Sequence, residues 1–131
     1  MKSTQEPEEG GLTALAKLED LYKYMQNALL GRKVPVVLKY SVGETILKSL
    51  AEIGGDIAAA NSMKQWKSTE YKAKQLIAKA QEEFLKTEFM IRLFISDDRI
   101  EIKREHVFRL ETELKNTLGG WAKYVTSQGR R

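Results

Sequence analysis

Few residues in this sequence could carry chemistry, and their spacing argues against catalysis. His106 is the only histidine, in the stretch "REHV". A di-metal helical bundle needs Glu-x-x-His pairs on facing helices. Here Glu105 stands directly beside His106, so the spacing is wrong, and His106 reads as a surface or capping residue. The chain contains no cysteine, which removes thiolate nucleophiles, thiolate metal ligands and disulfides. No glycine-rich loop has the spacing of a phosphate cradle. The acid pairs Glu82/Glu83 and Asp97/Asp98 read as solvated helix charge and a turn. Neither an enzymatic activity nor a metal or cofactor is expected.

The basic residues carry more information. The net charge is +4, but residues 1–63 contribute −1 and residues 64–131 contribute +5. A basic second half points to a polyanion or an acidic protein surface as partner. Lys72, Lys79 and Lys86 recur every seven residues and form a slowly drifting stripe on a helix. Lys115, Lys123, Arg130 and Arg131 extend positive charge along the last helix into the tail. Such residues can hold a nucleic-acid backbone without reading bases. Pairs at four-residue spacing, Glu82–Lys86 and Glu70–Lys74, are the structural alternative for part of this charge.

Arg92 is the most telling single residue. It lies inside "FMIRLFI", Phe89 to Ile95, which is apolar on every side and must be buried all round or covered by a partner. A charge in that setting needs pairing. Two readings stand: a bridge to Glu88 one turn earlier, or contact with a subunit or partner surface.

These residues have to be positioned by helices. After a polar leader, residues 1–11, the apolar positions Leu15, Leu18, Tyr22, Met25 and Leu29 mark a first helix, with Gly31 as its stop. A second helix carries Val42, Ile46, Leu50, Ile53, Ile57 and Ala60 on one stripe. It starts either at a capping box, Ser41 to Glu44, or just after Pro35. Gly54 and Gly55 in that stripe suggest close packing against a neighbour. "NSMKQWKS", Asn61 to Ser68, reads as a polar loop carrying Trp66. A third helix is expected from about Thr69 to Ile95, then a turn at "SDDR", and a fourth from about Lys103 to Thr126. "RIEI", Arg99 to Ile102, is too short to make a sheet. Four helices with short connections predict an all-α, antiparallel four-helix bundle over residues 12–126, followed by a basic tail, 127–131.

Gly119 and Gly120 interrupt the fourth helix just before Trp121, each at a cost of roughly 1 kcal/mol relative to alanine. Their expected use is to admit a close neighbour, within the bundle or across a subunit seam, while Trp121 fills the adjoining space. No apolar run approaches the ~20 residues of a membrane span. With no cysteine and no signal-peptide core, a cytoplasmic, membrane-free setting is expected.

Three segments then resemble a known family in order and separation: "KYSVGETI" at Lys39–Ile46, "MIRLFISDDRI" at Met90–Ile100, and "LGGW" at Leu118–Trp121. They look like Avd, the accessory variability determinants of diversity-generating retroelements, relatives of the bundle proteins encoded in ribosomal RNA intervening sequences. The resemblance spans roughly residues 12–125. It implies a non-catalytic homopentameric barrel that binds a reverse transcriptase and its template RNA, or DNA or an RNA/DNA hybrid, and supports mutagenic cDNA synthesis. At +4 per chain a pentamer would carry about +20. Arg92 matches a basic position in the family's third helix implicated in partner contact. Members can carry a second basic residue one turn earlier, where this chain has Glu88. The alternative, as for the intervening-sequence relatives, is a self-assembling bundle without a nucleic-acid role.

Overall fold

The computed structural model describes residues 10–63 and 70–128. Four helical rods form an antiparallel bundle in which each packs on its sequence neighbour and the last returns to the first. Helix α1 is Gly10–Leu29. Helix α2 opens with one α turn, Val36–Leu38, passes through a π segment, Lys39–Gly43, and continues as Glu44–Met63. Helices α3, Glu70–Ile95, and α4, Arg104–Gln128, complete the bundle.

The three-and-four spacing of apolar residues puts one stripe of each helix inside. Leu18, Leu21 and Met25 of α1 meet Ile46, Leu50, Ile53 and Ile57 of α2 in a single core, with Ile77, Phe84 and Ile91 of α3 and Val107, Leu114 and Trp121 of α4. Among the described residues no helix is long and apolar enough to cross a membrane. Arg99–Ile102 forms no strand: Ile100 turns into the core, and the backbone before it is a turn in which the Asp97 carboxylate accepts from the Arg99 amide at 2.9 Å. The Arg99 side chain bonds the same carboxylate and holds it down at about 2, well below its usual range.

The second helix starts just after Pro35, and the Ser41–Glu44 capping box does not form. Pro35, with φ −60° and ψ 142°, is the last extended residue. Its fixed ring torsion and missing amide suit the entrance to a helix. Ser41 lies inside the π segment, where its hydroxyl donates to the Val37 carbonyl. Gly43 is buried there against α1, and a Cβ at that position would meet the Leu29 side chain and the Leu38 carbonyl oxygen. Gly54 also admits a neighbour, Leu18, whereas Gly55 faces open space.

The helical glycines near Trp121 depart from one of their two expected uses, a close neighbour within the bundle. Trp121 is 1% exposed, inside this chain's own core. A Cβ on Gly119 or Gly120 would meet nothing within 4 Å, so neither admits a neighbour within the bundle. The close approach is made by Gly10 and Gly11, which open α1 beneath the indole: a Cβ on Gly10 would lie 2.7 Å from Trp121 Cβ. The part of the leader at Gly10 and Gly11 is therefore buried helix. At the other turn of the chain, Asn61–Met63 are still helical, while Trp66 and the rest of the expected loop fall outside the described residues.

Candidate interaction surface

The seam between α3 and α4 collects the most informative side chains. Leu85, Phe89 and Leu93 follow at four-residue spacing on α3 and are 59%, 63% and 53% exposed. Only part of "FMIRLFI" is buried: Ile91, Phe94 and Ile95 enter the core while Phe89 and Leu93 face outward. Across the seam Phe108 of α4 is also exposed. Leu85 lines a small hollow with Gln81, Phe84, Lys115 and Leu118, which ties the stripe to α4. Scattered exposed apolar residues need no explanation, but a contiguous set on one face marks an interaction surface.

Arg92 lies among them, and its partner is not Glu88. Its guanidinium donates to Glu111 Oε1 at 2.9 Å and sits 4.4 Å above the Phe108 ring centre. Glu88 instead pairs with Lys115 at 2.9 Å. Two ion pairs thus cross the seam side by side. The arginine is half-exposed, whereas Glu111 is 1% exposed. Burial pushes the Glu111 carboxyl up to about 7; Arg92 opposes this, Glu88 adds to it, and Lys115 opposes it. Its second oxygen, Oε2, has no hydrogen-bond partner among the described residues.

Two of the three lysines of the predicted stripe lie beside carboxylates. Lys79 leans toward α2, 3.6 Å from Asp56 and 3.9 Å from Glu52. Lys86 lies 3.9 Å from Glu82, the four-residue pair expected from the sequence. Lys115 is held by Glu88 over the other side of α3, so the stripe and Lys115 do not form one surface. Lys72 and Lys123 are exposed, with no ion pair among the described residues. Arg130 and Arg131 lie outside the described residues.

His106 is half-buried at the start of α4. Its ring meets Tyr24 edge-on at 4.7 Å, and Nδ1 accepts from Arg109 at 2.7 Å. Arginine can only donate, so this contact fixes Nδ1 as the acceptor. No group of three or more metal-ligating side chains occurs among the described residues.

Glu111 and Phe108 were not singled out from the sequence. The signal was present for Glu111: it occupies an inward register of α4, beside Leu110 and one turn before Leu114, where a carboxylate requires a cation. Phe108 carried no such signal, because an aromatic residue beside Val107 fits an ordinary helix flank. Comparison of the chain with protein-family models, curated proteins and solved structures finds no match.

Proposed function

We propose that this chain is a non-catalytic accessory protein of a diversity-generating retroelement, assembled as a homopentameric barrel in the cytoplasm. In that role it binds the reverse transcriptase and the template RNA and supports mutagenic cDNA synthesis. The observation that carries the reading is the exposed Leu85–Phe89–Leu93 stripe beside Arg92 and Phe108, of which Arg92 and Leu93 fall in the Met90–Ile100 segment that resembles Avd. Covering Leu85, Phe89 and Leu93, each a little over half exposed, would gain roughly 1–2 kcal/mol apiece before ordering costs, which suits a face for a protein partner or another subunit.

Light scattering on the purified protein, with and without a structured RNA at two salt concentrations, tests the reading. A mass near five chains, with RNA bound at low salt and released at high salt, is expected. Phe89→Ser with Leu93→Ser should lower the mass or abolish reverse-transcriptase capture while helical content stays unchanged. A monomer indifferent to RNA and to these substitutions would overturn the proposal. The ion pairs that neutralise Lys79, Lys86 and Lys115 favour a second reading, a self-assembling bundle with no nucleic-acid role. A large mass with no affinity for RNA would select it.

A further inference from the structure

We propose that the nucleic-acid backbone is held at the start of α4, by Lys103, Arg104 and Arg109, rather than along the lysine stripe of α3. The inference rests on the RNA-binding reading above and assigns that binding to a surface. It follows from where positive charge is left uncompensated. A cation paired with a carboxylate presents a dipole, and its field at a distance is weak. Lys79 and Lys86, two of the three stripe lysines, and Lys115 are in that state, and Lys72 stands alone at the start of α3 with no second unpaired stripe lysine beside it. Lys103, Arg104 and Arg109 are exposed and form no ion pair with a described carboxylate.

These three line one open cleft of about 670 Å³ together with Ile102, Glu105 and His106, three cations against one carboxylate. The floor of the cleft is braced. The Lys103 amide donates to the Tyr24 hydroxyl at 3.0 Å, the Tyr24 ring packs edge-on against His106, and His106 accepts from Arg109. Arg109 spends one donor on this contact and keeps the rest of its fork. The cleft leads past His106 and Arg109 into a second hollow between α1 and α4, where Asp20 and Glu113 offset Lys23, so the net positive charge is confined to the first cleft. An open cleft with three cationic donors on rigid elements suits a phosphodiester chain, which needs spaced donors and no apolar anchor. A protein partner would need such anchors, and the exposed apolar stripe Leu85, Phe89 and Leu93 lies on the α3 face instead.

Two variants carrying the same loss of charge test the assignment: Lys103→Gln/Arg104→Gln/Arg109→Gln, and Lys72→Gln/Lys79→Gln/Lys86→Gln. Binding of a labelled structured RNA is followed by fluorescence anisotropy over a salt series, with circular dichroism to confirm the fold. The first variant should lose roughly 2 to 3 from the log–log salt slope and bind more than about tenfold more weakly at low salt. The second should stay close to the parent protein. Equal losses from both variants, or a larger loss from the second, would overturn the assignment while leaving RNA binding intact. An unmodified protein that shows no salt-dependent affinity would overturn the RNA-binding reading itself, and this inference with it.

Discussion

Glu111→Gln isolates the most strongly perturbed carboxyl in the bundle. In the folded chain Glu111 titrates at about 7, against 4.5 for an ordinary glutamate, because burial removes water that its charged form needs. Arg92 and Lys115 offset part of this cost and Glu88 adds to it. Between those two values the folded protein keeps a proton that the unfolded chain releases. Stability from this group is therefore fully present below pH 4.5 and is lost as pH rises through 7. At about 1.4 kcal/mol per pH unit the whole loss is roughly 3 kcal/mol, of which about 2.5 falls between pH 5 and pH 8. Glutamine cannot titrate, and its amide oxygen can still accept from Arg92. Its nitrogen stands where Oε2 is now unpartnered, a cost independent of pH. The decisive quantity is the stability gap between parent and variant, not either value alone. Urea unfolding followed by circular dichroism from pH 5 to pH 8, at one protein concentration, measures it. The parent should lose about 2.5 kcal/mol relative to the variant across that range. A gap that stays constant would refute the reasoning, because an ordinary carboxyl would already be ionised in both states.

Four further outcomes follow from the packing. Gly10→Ala should destabilise the fold by about 1–3 kcal/mol, since its Cβ would sit 2.7 Å from the base of the Trp121 side chain; thermal unfolding checks this. Gly120→Ala should instead raise stability by up to about 1 kcal/mol, its Cβ meeting open space; loss of assembly with an intact fold would place that glycine at a subunit seam. Gly43→Ala should lower the melting temperature clearly, by roughly 1–3 kcal/mol in free energy, because Leu29 occupies the space its Cβ would need. Arg92→Met should push the Glu111 carboxyl above about 7, visible as a shift of its titration by carbon-detected NMR.

The fold was legible because its dominant signal is local. Leu50, Ile53 and Ile57 on α2, or Ile77 and Phe84 on α3, repeat at helical spacing, and all of them are in the core. Polar detail depended on partners far away in sequence. Arg92 offered Glu88 at four residues, but Glu88 is taken by Lys115 and Arg92 reaches Glu111 on the next helix. The packing of the glycines within the bundle was hidden for the same reason. Gly119 and Gly120 adjoin Trp121 in sequence, yet the indole is covered by Gly10 and Gly11, more than one hundred residues away. Sequence neighbours on a helix sit about 100° apart around its axis, so adjacency to Trp121 turned those two glycines away from the space the ring fills. The capping box at Ser41 was outweighed by Pro35, which starts the helix early and leaves the extra residue to be absorbed as a π segment at Gly43.

The Arg92–Glu111 pair constrains what can cover the α3/α4 face. Its two ends differ in solvation: the carboxylate has already lost its water, while the guanidinium is about half exposed. A partner that lies flat over Phe108 and the Leu85–Phe89–Leu93 stripe must strip the remaining water from Arg92. One hydrogen bond to Glu111 and a ring face cannot satisfy five N–H donors, and leaving the others dry costs several kcal/mol. That cost would cancel much of the gain from burying the stripe. A stable complex on this face therefore requires acceptor groups, carboxylate or backbone carbonyl, placed over Arg92 and flanked by apolar side chains. A purely apolar surface would be rejected by the same arginine that marks the site. In this way one half-buried charge turns a sticky stripe into a selective one.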